Sequence, residues 1–387
     1  MSRSISTEDN SRLVASSPPS DIIVIGAGIV GCAVAYELAR RGASVQIVDD
    51  RPAGMGATQA SAGMLAPYTE AKDRNTVFLD LAVRSLSLYD DFVARVVEAA
   101  DMPVGYQRTG TLEIATTDER MTALRHMADR LSARGVTLGV LDATAARAEE
   151  PHLCHDVIGA LFIASHGFVR AGELTRALAA AARRHGAQLV EGSRVHTIVR
   201  RDGDFLVETG RGSLSANFVV LAAGSWSGQI EIEGVARPPI RPVRGQLLHL
   251  AWSGPTLRRV IWGERCYLVP WDDGTLLVGA TMEEVGFEER TTAAGVRDLL
   301  DAACELAPHA RTAGFLGARS GLRPASADGM PIIGASRVLP NLIYATGHFR
   351  NGVLLSPLTA QLVADAILDN RVDPALDAVG PQRFGDL

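Results

Sequence analysis

Gly26, Gly28 and Gly31 stand in the spacing G-x-G-x-x-G, and an acid, Asp49, follows 18 residues beyond the last of them. Each glycine has a task that a Cβ would spoil. Gly26 permits a tight turn, Gly28 lets backbone approach a pyrophosphate, and Gly31 lets a helix pack closely on a strand. A helix opening at Ile29 would present free N–H groups and the positive end of its dipole to phosphates. Asp49 is placed to accept hydrogen bonds from a ribose diol. Together these residues predict a dinucleotide site rather than a plain glycine turn.

The elements that must position them are legible on either side. Asp21–Ile25 is a short β-branched apolar run, as expected of a strand buried on both faces. An alanine-rich helix pattern runs from Ile29 to about Arg40 and closes on Gly42, and a second strand, Ser44–Val48, ends at Asp49. The small-residue loop from Gly54 to Gly63 then keeps side chains short, which suits backbone lying against a flat ring or phosphates. Met64 and Leu65, which favour burial, argue against a mobile surface loop.

Further along, Thr76–Ala100 reads as one long amphipathic helix, Tyr106–Thr116 as a strand around Gly110, and Asp118 to about Arg134 as a helix. Strands are expected at Val136–Leu141, Val157–Ile163, Ala187–Glu191 and Asn217–Leu221, with a hairpin turning at Asp202-Gly203. Helices are expected at Arg170–His185, Val296–Leu306 and Gly352 to about Leu368. Gly245–Leu250, Cys266–Val269 and Thr275–Gly279 are short strand patterns, and Gly321-Leu-Arg323-Pro324 reads as a Gly/Pro-rich turn. The fold class is therefore α/β, with a discontinuous doubly wound nucleotide-binding domain and an inserted antiparallel-sheet α+β substrate domain. Segments 19–105, 157–235 and 318–387 are assigned to the first domain and 106–156 and 236–317 to the second.

Composition narrows the function. At 387 residues the chain exceeds one ordinary core, so two domains are expected. A net charge of −6 without a basic block excludes nucleic acid as the main partner. The four cysteines stand far apart without a C-x-x-C, which excludes a disulfide framework and fits a reducing, cytoplasmic setting. Residues 1–18 read as a disordered tail without the apolar core of a signal peptide, and no segment reads as a membrane span. His152, Cys154 and His155 lack a second cluster and sit at a turn, so no metal is expected.

The opening GAGIVG, the loop Ser61-Ala-Gly-Met-Leu65, the block Gly321-Leu-Arg-Pro-Ala-Ser-Ala-Asp-Gly-Met-Pro331 and the block Gly347-His-Phe-Arg-Asn-Gly352 resemble the flavin-dependent D-amino acid oxidase superfamily. Within it they are most similar to the bacterial glycine oxidases of the ThiO type. The likeness runs from Asp21 to about Asn370 and is most specific at the two ends. It implies noncovalent FAD, oxidation of glycine, small amines or D-amino acids with release of hydrogen peroxide from O2, a link to thiamine biosynthesis, and a homo-oligomer, with a tetramer suggested by the family. It further implies FAD contacts at Ile29 and Val30 beside the glycines, at Asp49 and Asp50, at Ala57 and Thr58, and at Ala62, Gly63 and Met64. Val195 would contact the adenine side through its backbone. His348, Phe349, Arg350, Asn351, Gly352, Val353 and Leu354 would run along the flavin. Arg323 matches the arginine that grips the substrate carboxylate, and Tyr267 matches the tyrosine that assists it. Arg350 and Met282 would lie near the substrate. Where the family often has a histidine two residues before that tyrosine, this chain has Arg265.

The chemistry has its own requirements. An amino acid must present its α C–H to the flavin, so its carboxylate must be fixed, and the planar fork of an arginine does this with two parallel hydrogen bonds. Arg323 has the alternative of a structural ion pair, and the His348 side chain that of a simple turn histidine. No general base is required if the amine arrives neutral. Competing classes are a D-amino acid or sarcosine-type FAD dehydrogenase with another acceptor, a nicotinamide dehydrogenase, and a non-catalytic nucleotide-binding protein. The small-residue loop counts against the second, and the matches at Tyr267, Arg323 and Arg350 count against the third.

Overall fold

The run Ile22–Ile25 is buried at every position because it forms the middle of a parallel sheet. In the computed structural model, which describes residues 21–70 and 76–387, this sheet has six strands. Their order is Ile332–Ala335, Leu342–Thr346, Phe218–Leu221, Ile22–Ile25, Val45–Val48, Gln188–Val190. Only the Ile332–Ala335 edge runs antiparallel to its neighbour. Successive side chains on a strand point to opposite faces. Ile22 and Val24 accordingly join the helices Ile29–Arg40, Ala171–Arg184 and Gly352–Leu368 in one core. Ile23 and Ile25 pack instead on Ile198, Phe205 and Val207, from the antiparallel layer Val195–Arg201, Asp204–Thr209 and Gly212–Ala216. The expected α/β architecture is what the chain forms.

An eight-stranded sheet, mostly antiparallel, makes the second layer. Its order is Gly314–Ser326, Ile240–Ala251, Thr275–Gly279, Tyr267–Pro270, Val260–Trp262, Thr111–Ala115, Gly159–Ile163, Leu138–Asp142. Leu268, Leu276 and Val278 bury one face against the helix Ala293–Leu306. The residues between them, such as Tyr267 and Leu277, face the other way.

Four expectations need correction. The strand Gly159–Ile163, assigned from sequence to the nucleotide-binding part, pairs with Thr111–Ala115 and Leu138–Asp142 in the eight-stranded sheet. The helix expected over Thr76–Ala100 is two helices, Thr76–Ser87 and Tyr89–Ala100. Near the break the Ser87 hydroxyl donates to Arg84 O at 2.7 Å, a side-chain bond that competes with helix continuation. The strand expected over Tyr106–Thr116 divides at Gly110 (φ 80°), sending Tyr106–Gln107 and Thr111–Ala115 to different sheets. Finally, Arg323 lies in a 13-residue edge strand, Gly314–Ser326, and not in a turn. Pro324 is tolerated there because an edge strand has one side without ladder bonds to donate to. The tail expected at 1–18 lies outside the described residues. Among the described residues no helix is long and apolar enough to cross a membrane, and no group of side chains could hold a metal ion. All four cysteines are unpaired.

Candidate active site

A cavity of about 980 Å³ runs from the glycine turn to the face of the large sheet that carries Tyr267. That is the upper end of the range for small-molecule sites, roughly 300–1,000 Å³, and leaves room for a dinucleotide and a small substrate. The three glycines differ in what surrounds them. Gly26 has φ 110°, and a Cβ there would sit 2.4 Å from Ala222 O. A Cβ on Gly31 would sit 1.9 Å from Gly26 O. At Gly28 the nearest atom is Thr58 Oγ1 at 3.8 Å, so a side chain would project into the cavity. Thr58 Oγ1 also accepts from Ile29 N at 3.2 Å, fixing the helix start against the small-residue loop.

Asp49 is anchored to the backbone of the turn. Its Oδ2 accepts from Ala27 N at 2.6 Å and its Oδ1 from Arg51 N at 2.8 Å, so the carboxylate braces the glycine turn itself. Burial raises its pKa above the usual carboxylate value, against the lowering effect of those N–H groups. A carboxylate has about four lone-pair sites, so a diol can still share it. Asp50, exposed, lines the same cavity.

Ile29, Val30, Ala57, Thr58, Ala62, Gly63, Met64 and Val195 all line the cavity. Gly63 (φ 70°) lies so close to Val169 O that a Cβ would come within 1.7 Å of it. At the far side His348, Phe349, Arg350, Gly352 and Val353 line the wall, and the helix Gly352–Leu368 starts there. His348 is buried with Nε2 3.1 Å from Thr359 Oγ1, and burial pulls its pKa down to about 4. Three expected contacts are not on the wall. Gly31 packs on the turn, Asn351 precedes the helix with its carbonyl accepting from Leu355 N, and Leu354 is buried with its carbonyl accepting from Ser85 Oγ.

The structure brings Tyr267 and Arg323 to one sheet face, each above a glycine on a neighbouring strand. Tyr267 pairs with Gly279, and Arg323 lies over Gly245. A Cβ on Gly279 would come 2.5 Å from the Tyr267 hydroxyl, and one on Gly245 would come 2.1 Å from Arg323 Nη2. Arg323 Nη1 donates to Thr281 O at 3.0 Å and Arg244 O at 3.3 Å. Met282 is 62% exposed and sits at the rim, as does the exposed Arg350. Arg265 also borders the cavity and pairs with Glu305 at 2.5 Å.

Several contributors were missed. Gly245 and Gly279 are among them, although glycine inside a strand pattern is itself a signal of close approach. Trp226 lines the cavity with the Arg51 guanidinium 4.5 Å from its ring centroid, and Arg51 is paired with Glu289 at 2.8 Å. Buried Glu113, also on the wall, accepts from Thr69 Oγ1 at 2.7 Å and Arg120 Nη2 at 2.9 Å. Nothing local in the sequence marks either cluster, because its members come from separate segments.

A glycine turn open to the cavity at Gly28, a helix end on the opposite wall and an arginine–tyrosine pair on the sheet share one cavity, an arrangement that suits a dinucleotide-dependent oxidoreductase. The family model for FAD dependent oxidoreductases matches residues 21–366, and the chain belongs to that family. FAD is therefore its cofactor. The chain is similar to the glycine oxidase of Geobacillus kaustophilus, 33% identical over 359 residues, covering 92% of this chain and 94% of that protein. The crystal structure of glycine oxidase from Geobacillus kaustophilus superposes with a TM-score of 0.89 at 32% identity, covering 96% of this chain and 99% of that one. The bifunctional protein ThiO/ThiG of Synechocystis is 36% identical over 372 residues, covering 94% of this chain. This chain spans about half, 54%, of that bifunctional relative.

Proposed function

We propose that the chain oxidises glycine, and related small amines or D-amino acids, to the imine. Water then hydrolyses the imine to the 2-oxo acid and ammonia, while O2 is reduced to H2O2. For glycine the balance is glycine, O2 and water giving glyoxylate, ammonia and H2O2. Bound FAD would supply the two-electron acceptor. The observation that carries this reading is the Tyr267–Arg323 pair, set over two strand glycines in the cavity that also holds the glycine turn.

Each residue then has a task. The Arg323 guanidinium and the Tyr267 hydroxyl hold the substrate carboxylate, a charge-assisted contact whose planar geometry fixes orientation as well as affinity. Arg350 and Met282 border the substrate from the rim. Gly26, Gly28, Ile29 and Val30 bring backbone to the pyrophosphate, Asp49 and Asp50 serve the ribose end, and Val195 serves the adenine end. Ala57, Thr58, Ala62, Gly63 and Met64 lie along the ring from one side. His348, Phe349, Gly352 and Val353 lie along it from the other, where the helix end favours negative charge. With its pKa lowered to about 4, His348 is uncharged near neutral pH and brings no cation to the ring.

The same proposal includes two domains built on the two sheets, noncovalent FAD, a cytoplasmic homo-oligomer, and a product that feeds thiamine biosynthesis as the family resemblance implies. It is tested by following H2O2 and ammonia with glycine under air, on protein whose yellow chromophore is released by acid. Equal yields of the two products are expected. Turnover only with a quinone or dye as acceptor would replace the oxidase with a dehydrogenase, and colourless protein would overturn the whole reading.

A further inference from the structure

Arg323 does not hold its position alone. Its Nη1 donates to Thr281 O and Arg244 O, and both carbonyls belong to a partly buried polar network. Arg244 and Glu283 pair through their backbones, with N–H to O distances of 2.8 and 2.9 Å. They pair again through their side chains, Arg244 Nη2 donating to Glu283 Oε2. Glu283 Oε1 accepts from Gln246 Nε2 at 2.7 Å and from Thr281 Oγ1 at 2.5 Å. Gln246 closes the set, donating from its N to Thr281 Oγ1 at 2.9 Å and accepting from Thr292 N at 2.8 Å. Arg244 is 4% exposed and Gln246 is fully buried.

Such a network is a costly way to hold a loop. Removing a guanidinium from water costs several kcal/mol, and a buried ion pair is often no more stabilising than apolar residues of the same volume. What the network does provide is a fixed place for two carbonyls. Glu283 touches Arg244, Gln246 and Thr281 at once, so it ties both carbonyl-bearing residues to one carboxylate. Burial pushes the Glu283 carboxyl up, but hydrogen bonds from Arg244, Thr281 and Gln246 hold it below the usual range, and it stays ionised at neutral pH.

We infer that Glu283, acting through Arg244 and Thr281, is a positioning residue that sets where the Arg323 guanidinium meets the substrate carboxylate. This rests on the reading of Arg323 as the carboxylate clamp. A misplacement of about 1 Å in a bound substrate can cost two orders of magnitude, so a residue that never touches substrate can control kcat/KM.

The test is a double-mutant cycle on the FAD-loaded enzyme. Glu283→Gln keeps the shape of the side chain but turns an amide toward the donors of Arg244 and Gln246. It is expected to lower kcat/KM for glycine about ten-fold, chiefly through KM, with FAD content unchanged. Placed on Arg323→Ala, the same change is expected to alter kcat/KM by less than two-fold, while its effect on melting temperature persists. If Glu283→Gln fails to fold, Gln246→Glu, which sets a second carboxylate against Glu283, enters the same cycle. An equal fall in both backgrounds overturns the inference, because the residue then acts without Arg323. An impaired Arg323→Ala enzyme beside an unimpaired Glu283→Gln enzyme also overturns it while leaving the clamp in place. Should Arg323→Ala itself stay within two-fold of the parent, the clamp reading falls and this inference falls with it.

Discussion

At the scale of single residues, the site depends as much on what two glycines leave out as on what their neighbours supply. The Arg323 guanidinium occupies the space a side chain at 245 would fill, with Nη2 2.1 Å from the position of a Cβ. Gly245→Ala is therefore expected to fold and bind FAD, since the clashing atoms are the far end of a long side chain that can swing away. The proposed clamp would be displaced, and kcat/KM for glycine should fall about 10- to 100-fold, as expected of a misplacement near 1 Å. Steady-state kinetics beside flavin absorbance check this, and unchanged kinetics would show that Arg323 has slack. Arg323→Ala removes the proposed charge-assisted contact with the substrate carboxylate, worth about 1.5–3 kcal/mol. That corresponds to a roughly ten- to several-hundred-fold loss, with FAD content preserved. Tyr267→Phe deletes one hydroxyl and should lose less than Arg323→Ala. A carboxylate-free amine that is turned over at all should be nearly indifferent to the arginine change.

At the scale of elements, the glycine turn was legible because all its determinants are local. Strand, glycines, helix and Asp49 lie within one stretch, and the helix Ile29–Arg40 falls where the apolar spacing placed it. Asp49 was located correctly, but its bonds to Ala27 N and Arg51 N arise from the fold of the turn and leave no sequence signal. The large-sheet side of the cavity was harder to read. Gly314–Ser326 contains Gly314, Gly317, Gly321 and Pro324, which erase strand alternation. It is a strand because Ile240–Ala251 lies beside it in register, a pairing across some seventy residues that propensity does not encode. The same logic explains Gly159–Ile163, whose partners decide which sheet it joins. A prediction belongs to the turn as an element. A Cβ at Gly28 meets no protein atom closer than Thr58 Oγ1, so the turn should form, and the branched side chain of Gly28→Val would fill the position proposed for the pyrophosphate. Protein purified with normal secondary structure and less than a tenth of the usual flavin is the expected result. Full flavin occupancy would place the dinucleotide elsewhere.

At the scale of the whole molecule, the chain passes repeatedly between the two sheets, and groups buried where segments meet feel every layer. His166 is one of them. It is 0% exposed, its Nδ1 lies 2.8 Å from Thr111 Oγ1, and its ring stacks on Tyr68 at 5.4 Å between centroids. Burial first, and then the Arg108 cation, pull its pKa from 6.5 to about 3. Between those two values the unfolded chain binds a proton that the folded chain does not. Stability from this group is therefore complete above pH 6.5 and declines as the pH falls toward 3. At pH 5, one and a half units below the unfolded value, the loss is about 2 kcal/mol at 1.36 kcal/mol per unit. Buried His348, with its pKa lowered to about 4, adds a decline of the same sign over the narrower window down to that value. His166→Gln removes one titration while keeping a polar group beside Thr111 Oγ1. Its absolute stability at pH 7 can differ from the parent, so the informative quantity is the change in melting temperature between pH 7 and pH 5 for the FAD-loaded protein. The parent should lose several degrees more than the variant over that interval, and parallel curves would mean that His166 carries its proton in the folded state.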